Sequence, residues 1–552
     1  MKLQKISYGG NDISLAELVI IVGPNGVGKT TFLRELHEQF KNSTSTSNWS
    51  TQDTKWRGIL EGEFFHSTKS EWQDWVGKVV KVEGIEANNQ AAYAVGDSMS
   101  HEERGEYIYD NERQGLSAYL SENNPPDLEY LETHYGKPFK GQHSHLLSVD
   151  NRFYLANNSG GQLRMGYAND LKPAPFLALN KPILTRINKL LGSLFGKQLY
   201  VEPNDHPDYF IYVAKQGTKG PKRGSSTTEG IIKSKEYFKV WRELPEITTL
   251  TNEGHGIRAA AEIIYTLENA RKKILFIDEP ELHLYPSTKY NLGRIISSYS
   301  GRNKQVVLVT HDTEILRGLL HGTTNATVIR INSDKTTDTK SIKAISSSDI
   351  KKSYSADILQ AAFQDCVLLV EGIDDKYVYG KAIAEKHLAD ELSMQVVSMY
   401  GKDSLSVPIK FYEQIAVSHA VIADFDILKS DKHGMKHVTY ILKAQNSPQS
   451  VITNIETKVD GVRAILSGKP HSNKGLNTEG VNGADQVKIT ELLESLKIHG
   501  IFIVPIGALE DWVGLAHEAT PEKVFATYRA RSNSTYKPMT DFLQEVVGYM
   551  KK

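Results

Sequence analysis

A chain of 552 residues, 39% hydrophobic and 24% charged, is long enough for several domains and has the composition of an ordinary soluble protein. Its formal charge of −1 offers no overall field to a polyanion, so any nucleic-acid contact must come from local basic patches. One cysteine, Cys366, excludes an internal disulfide and a cysteine-based zinc site; the apolar runs are too short to span a bilayer, and the first residues lack the apolar segment of a signal peptide, so a cytoplasmic protein is expected.

Leu18–Val22 is an apolar run that enters a Gly-rich turn and then the helically spaced TTFLRELHEQF, a strand–loop–helix pattern. Lys41–Lys55, polar and rich in Ser and Thr, reads as a loop. Between Trp56 and Thr248 the signals are mixed. GKVVKVEGIEA and QLYVEPNDHPDYFIYVAK read as strands, APFLALNKPILTRINKLLGSLFG as an amphipathic helix, and Lys215–Gly230 as a basic, Gly-rich loop. A helix at GIRAAAEIIYTLENARKK, the strand ILFID, a further helix and the strand QVVLVT then alternate as in a parallel sheet covered by helices. After the polar passage Asn332–Asp349, a second α/β series has the strands CVLLV, MQVVSMY, HAVIAD and IFIVPI. The expected organisation is α/β in both halves: a domain at 1–355 with an insertion at about 56–248, and a domain at 360–552 with a polar, partly helical insertion at about 430–499.

Gly23-Pro24-Asn25-Gly26-Val27-Gly28-Lys29-Thr30 fits the G-x-x-x-x-G-K-[ST] pattern, with Thr31 beside it. Its glycines let backbone N–H groups wrap a triphosphate, Lys29 reaches the β and γ oxygens, and the Thr30 hydroxyl joins the Mg²⁺ shell. An accidental glycine turn would not need a strand before it and a helix after it, so ATP or GTP binding is expected. ILFIDEPELHLYP supplies the partner: an apolar strand ending in Asp278, placed to hold Mg²⁺ directly or through water, then Glu279, able to polarise the attacking water. Acids are favoured at any helix N-terminus, but behind a phosphate loop the catalytic reading is the stronger.

These motifs resemble the ABC-type ATPases, and particularly their non-transporter branch of DNA-repair and SMC-like proteins. DEPELHLYP looks like that branch's extended Walker B, with Leu282-His283-Leu284 in the region of the D-loop. VVLVTHDTEIL resembles the strand carrying the switch histidine, here His311. LTNEGHGIRAAAEII stands where the signature segment precedes the Walker B strand, with Asn252 in place of the usual serine and Gly254 keeping a glycine. The resemblance implies ATP as cofactor, nucleotide contacts from Asn252 and Gly254, and a site closed between two subunits. A homo-oligomer, dimer or tetramer, follows, with the long insertion as a place for dimer contacts.

VLLVEGIDDKYVYG sets Glu371, Asp374 and Asp375 at the end of one apolar run, and HAVIADFDILKSDKHG sets Asp424 and Asp426 at the end of another. In an open parallel sheet, strand ends on that edge line one crevice. Asp375 follows Glu371 by four positions and faces the same point if the helix begins near Asp374. Acids so gathered call for a hard dication, Mg²⁺ or Mn²⁺, and two such ions about 4 Å apart could activate a water and stabilise the leaving oxygen of a phosphodiester. Against this stands a structural account in which Asp374 caps the helix DKYVYGKAIAEKHL and Asp426 is a turn residue.

Glu371-Gly372 followed by Asp424-x-Asp426 resembles the Toprim domain, and an ABC-type P-loop ATPase followed by a Toprim (Rossmann-like) α/β domain resembles the overcoming-lysogenisation-defect (OLD) nucleases. The resemblance implies Glu371, Asp375, Asp424 and Asp426 as metal ligands and a later acid, for which Glu510 in IFIVPIGALEDWVGL is the candidate and Asp511 the second. It implies a late lysine, with Lys537 and Lys523 as candidates. It also implies an ATP-regulated, metal-dependent endonuclease acting on DNA in antiphage defence, alongside retron-, PARIS- and Gabija-like systems, with a partner protein or structured nucleic acid. EGIDDKYVY is closer in wording to the PARIS type, whose target is transfer RNA, than to the Gabija type, so an RNase is the alternative. A non-cutting ATP-dependent sensor or scaffold is a third. Lys219–Gly224 and Tyr528–Lys537 are candidate nucleic-acid contacts or plain solvated loops.

Overall fold

The computed structural model describes residues 3–8, 11–42, 48–50, 60–64, 144–148, 161–162, 173–174, 177, 180–203, 208–218, 246–269, 273–302, 304–322, 325–333, 340–347, 350, 355–428, 437–469, 474–532 and 538–551. Most of the expected 56–248 insertion, including the GKVVKVEGIEA strand and the basic Lys219–Gly224, lies outside the described residues, as do Lys537 and much of the Lys41–Lys55 segment. Two compact units emerge. One comprises Met1–Val22, Gly28–Ile329 and Ser346–Ser348; the other comprises Gly23–Val27, Arg330–Ile345 and Asp349–Lys552. Among the described residues no helix is long and apolar enough to cross a membrane.

In the first unit, β1 (Leu18–Val22), β2 (Ser144–Leu147), β3 (Ile274–Asp278) and β4 (Gln305–Val309) form parallel pairs in the order β1-β4-β3-β2. Every residue of β1, β3 and β4 is buried, which is why these strands are written as unbroken apolar runs rather than alternating ones. The covering helices are α1 (Lys29–Asn42), α2 (His255–Glu268), α3 (Pro286–Tyr299) and α4 (Thr313–Gly322). α3 and α4 meet backbone to backbone: a Cβ on Gly293 would lie 2.6 Å from the Ile315 carbonyl, and one on Gly318 2.1 Å from that of Tyr290. Beside them the hairpin Lys197–Pro203/Asp208–Lys215 packs under the amphipathic helix Lys181–Phe195, with Ile183, Ile187, Leu191, Leu199 and Ile211 in one cluster with Ile264 of α2.

The second unit holds another parallel sheet: β5 (Cys366–Val370), β6 (Met394–Ser398), β7 (Ser418–Ala423) and β8 (Ile501–Ile503), in the order β6-β5-β7-β8. The chain leaves β5 to one side to make β6 and returns on the other to make β7. The strand order therefore reverses between β5 and β7, and in open sheets of this kind the ligand crevice lies beyond the carboxyl ends of the strands at that point. α5 (Ile373–Glu385), α6 (Pro521–Ser532) and α7 (Pro538–Met550) cover one face, burying Val378, Tyr379, Phe502, Trp512 and Leu543 together. Within about 430–499 stand the helices His437–Ala444, Gln449–Leu466 and Gly483–Lys497.

Both central strands of this sheet start from one cation. Arg330, 1% exposed, donates to the carbonyls of Ala362 at 3.2 Å, Ala416 at 2.8 Å and Ile415 at 3.3 Å, and also to that of Gln364. Gln364 precedes β5 and Ala416 precedes β7, so the guanidinium fixes the entry of each. Burial lowers its pKa to about 10, still leaving it charged at neutral pH.

Candidate functional site

Gly23–Val27 joins β1 to α1, with Gly23 at φ 145, Gly26 at φ 79 and, just beyond, Gly28 at φ 89. Side-chain-bearing residues rarely adopt these values, and a Cβ on Gly23 would also lie 2.3 Å from the Ile331 carbonyl. α1 begins at Lys29, so its N-terminus opens where the loop ends. Thr30 donates its hydroxyl to Asp278 Oδ1 at 3.0 Å. Asp278 is the last residue of β3, level with Val309 of β4, and Thr31 is half-buried in the first turn of α1.

After Asp278 the backbone turns sharply: Glu279 has φ 48, and its N–H donates to the Val309 carbonyl at 2.9 Å. His311 Nδ1 lies 3.2 Å from Glu279 and 3.4 Å from Glu281. Glu281, absent from the sequence reading, is the buried member of this group. Its Oε1 accepts from the Thr310 hydroxyl at 3.0 Å and from the His311 N–H at 2.9 Å, and burial pushes its carboxyl up to about 7. The hydrogen bond to Glu279 raises the His311 pKa against partial burial, helped by the charge of Glu281. The sequence signal for Glu281 was its place in DEPE, two residues after Glu279. Asn252 and Gly254 are exposed at the entry to α2, whose Gly256 presses on the Leu282–Leu284 turn; a Cβ there would lie 2.4 Å from the His283 carbonyl.

At the other sheet, Glu371 follows β5 and Asp424 follows β7, with Val370 level with Ile422. Glu371 Oε1 accepts the Asp424 N–H at 3.1 Å, so the two motifs meet although 53 positions separate them. Asp426 lies in the 3₁₀ turn Phe425–Leu428; its Oδ2 takes the Lys402 ammonium at 2.7 Å, while its Oδ1 is buried without a hydrogen-bond partner. Asp375 Oδ2 accepts the Gly372 N–H at 2.8 Å. The helix therefore starts at Ile373 behind Gly372, which corrects the expectation that Asp374 caps it: Asp374 is an exposed first-turn residue, and the capping carboxylate is Asp375. Glu510 comes in the short turn Leu509–Val513 after β8, and Phe425 N–H donates to Gly507 at 2.8 Å, tying that loop to the Asp424–Asp426 turn.

The electrostatics show how crowded these acids are. Burial, then Asp375, Glu371, Asp426 and Glu510, push the Asp424 carboxyl up to about 9. Burial, then Asp426 and Asp375, push Glu371 to about 7 against the Asp424 N–H and Lys402. Burial, with Glu510 and Asp374, raises Asp375 to about 6 against the Gly372 N–H. Among the described residues no three acids close into a ready ligand group, because Asp375 is drawn onto Gly372 and Asp426 onto Lys402. The donor set is all oxygen, buried and short of positive charge, and Asp426 Oδ1 has nothing to bond. These residues fit a hard dication.

Among the described residues the lysines that reach the acids are Lys402 and Lys474; of the two expected, Lys537 lies outside the described residues. Lys523 is exposed on α6. Lys402 pairs with Asp426, and Lys474 pairs with Asp511 and lies 3.1 Å from His517 Nε2, whose Nδ1 is 3.5 Å from Glu510. A close approach delivers Lys474: a Cβ on Gly475 would lie 2.1 Å from the Pro505 carbonyl. Asp511 also accepts the Ala508 N–H at 2.8 Å, so its oxygens are engaged within the fold. Of the basic Tyr528–Lys537 segment, Tyr528 is a core residue, 4% exposed, with its hydroxyl 2.9 Å from that of Thr540; it is not a surface contact.

Comparison with known proteins agrees with this layout. Residues 18–317 match the family described as "AAA domain, putative AbiEii toxin, Type IV TA system", and residues 363–426 match the TOPRIM domain of overcoming lysogenization defect protein-like proteins. The Old nuclease of Escherichia phage P2 is 25% identical over 332 residues, 53% of this chain and 54% of that protein, so the chain spans about half the length of this curated relative. Among solved structures, an SmcHead bound to the C-winged helix domain of ScpA aligns at TM-score 0.32 and 11% identity, over 63% of this chain and 98% of the other. The SMC head domain from Thermotoga maritima aligns at 0.29 and 10%, over 62% and 99%, and both likenesses are too distant to bear on function. The chain belongs to that AAA ATPase family and carries, on its C-terminal side, a TOPRIM domain of the overcoming lysogenization defect type.

Proposed function

We propose that this protein is an ATP-regulated, divalent-metal-dependent endonuclease acting on DNA in antiphage defence, with its cutting site at the β5/β7 crevice. The observation that carries the reading is the Glu371–Asp424 hydrogen bond at the point where the strand order reverses, inside a group of buried acids short of counter-charge. Glu371, Asp375, Asp424, Asp426 and Glu510 are the residues to hold Mg²⁺ or Mn²⁺. When bound, the dications supply charge to the scissile phosphate and lower the pKa of the attacking water. Lys402 and Lys474 keep positive charge at the rim, where the phosphate backbone arrives. The phage P2 relative, described as a nuclease, supports the assignment of the reaction class.

In the ATPase half, Gly23–Gly28 and Lys29 hold the triphosphate, and Thr30 with Asp278 holds its Mg²⁺. Glu279 takes the proton of the attacking water, and His311 holds Glu279 in place. The exposed Asn252 and Gly254 suit a nucleotide held by a second copy of the chain, in a homo-oligomer. Purified protein incubated with plasmid DNA and with transfer RNA, in Mg²⁺ or Mn²⁺, with and without ATP, tests the whole reading. Cleavage of DNA by wild type and not by Glu371→Ala is expected. Cleavage of transfer RNA alone would move the substrate to RNA, and identical behaviour of the two proteins on every substrate would sink the nuclease assignment.

A further inference from the structure

Tyr400 is 82% exposed and sits at φ 56, a left-handed conformation that a bulky side chain rarely adopts. It is not on a loose loop. Met399 N–H donates to the Val370 carbonyl at 3.0 Å and Gly401 N–H donates to the Glu371 carbonyl at 2.8 Å, so the backbone is pinned on both sides of Tyr400 to the segment that carries Glu371. One residue past Gly401, Lys402 holds Asp426. Ile373, two residues beyond Glu371, is 61% exposed at the start of α5. Among the described residues the Tyr400 ring has no aromatic, cationic or hydrogen-bonding partner. A strained backbone that spends its conformation on presenting a bare ring beside buried acids calls for a ligand that ring can meet.

We propose that Tyr400, with Ile373 beside the same glutamate, is a stacking platform for an unpaired nucleobase next to the scissile phosphate. The inference rests on the nuclease reading and deepens it by naming the substrate class. A base can lie on an exposed ring only after leaving its neighbours in the duplex, so the strand is single, looped or frayed where it is cut. The rest of the nucleotide then meets groups already in place: the phosphate reaches the acids and their cations, and the Lys402 ammonium lies on the same turn as the ring. Paired DNA offers this platform only an edge.

The test uses the full-length protein and a single-stranded oligonucleotide carrying 2-aminopurine, compared with the same strand in a perfect duplex. Stacking on Tyr400 quenches the fluorophore in the single strand. Tyr400→Ala should remove the quenching and weaken single-strand binding roughly tenfold or more, whereas Tyr400→Trp keeps both. Tyr400→Gly separates binding from folding: glycine tolerates φ 56, so its melting temperature should hold or rise while binding falls. Binding and quenching in Tyr400→Ala equal to wild type would overturn the proposal, as would equal affinity of wild type for the duplex and the single strand. The binding readout needs no cleavage, so a protein that stacks the base and cuts nothing refutes the nuclease reading alone.

Discussion

Behind the phosphate loop, the acids are answered from within the fold. Asp278 takes the Thr30 hydroxyl, Glu281 takes the Thr310 hydroxyl and the His311 N–H, and Glu279 faces the His311 ring. At the β5/β7 crevice the acids outnumber their partners: Asp424, Glu371 and Asp375 are pushed up to about 9, 7 and 6, and each is raised by burial and by the charge of neighbouring acids, whereas behind the phosphate loop Glu281 is raised by burial alone. The same device, acids at the carboxyl ends of buried parallel strands, is thus completed in one unit and left open in the other. A nucleotide brings its own cation, so the first site can be assembled in advance. On the proposed reading the second would take its ions from solution, which would make metal occupancy part of its stability as well as of its chemistry.

The sharpest way to break this contrast is to neutralise one acid in each site. Asp424→Asn should cut nuclease activity at least about a hundredfold by removing a ligand, yet raise the melting temperature of the metal-free protein at pH 8, because folding no longer has to protonate a carboxyl that is ionised in the unfolded chain. Glu279→Gln should cut ATP hydrolysis by about as much while leaving nucleotide binding and the melting temperature near wild type. Scanning calorimetry, both activity assays and a nucleotide-binding titration read these quantities. If Asp424→Asn destabilises the metal-free protein, the acids of the second site are already satisfied and the contrast fails.

Proton linkage gives the next effect. Unfolded carboxyls titrate near ~4, whereas Glu371, Asp375 and Asp424 are raised to about 7, 6 and 9. The folded state therefore holds more protons than the unfolded one between those limits. The stability these groups contribute is full below ~4 and is lost as the pH climbs through the folded values. Without dications the melting temperature should fall from pH 6 to pH 9, and added Mn²⁺ or Mg²⁺ should restore more of it the higher the pH. Glu281, raised to about 7 by burial alone among raising causes, adds a loss of the same sign that metal at the crevice does not restore. A metal-induced shift that is flat with pH would refute the picture of stranded charge.

Arg330 bears on how the open site is held in register. Arg330→Met would leave the carbonyls of Ala362, Gln364, Ile415 and Ala416 short of a donor at the entries of β5 and β7. A loss of about 2–4 kcal/mol in denaturant unfolding is expected, with the loss of nuclease activity exceeding that of ATP hydrolysis at temperatures where the variant is folded.

Both sheets are legible because buried parallel strands are written as unbroken apolar runs, and ILFID, QVVLV, CVLLV and HAVIA carry no other plausible reading. The phosphate loop and the Glu371 and Asp424 motifs are local patterns at strand ends, so order along the chain suffices to place them. What escapes is whatever depends on distant backbone meeting. Arg330 within VIRIN draws no reading from the sequence, and only the fold shows four carbonyls around it. Lys474 reaches Asp511 only because Gly475 lets two loops touch. The helix start moves from Asp374 to Ile373 because Asp375 reaches back to the Gly372 N–H, a contact that no propensity scale distinguishes from Asp374 capping.

Lys402 softens the contrast, since its ammonium already answers Asp426. Both side chains are about a third exposed, 31% and 39%, so solvent screens the pair and its worth to stability is under ~1 kcal/mol. Lys402→Met should hardly move the melting temperature. It should nevertheless change metal binding in a definite direction: Asp426 Oδ2 is released from its ammonium partner, one more carboxylate stands uncompensated, and half-saturation by Mn²⁺ should come at a lower concentration. Isothermal titration in the absence of substrate reads this directly. Weaker metal binding in Lys402→Met would mean that the lysine positions Asp426 for the ion instead of competing with it, and Asp426 would then be as pre-assembled as Asp278 is by Thr30.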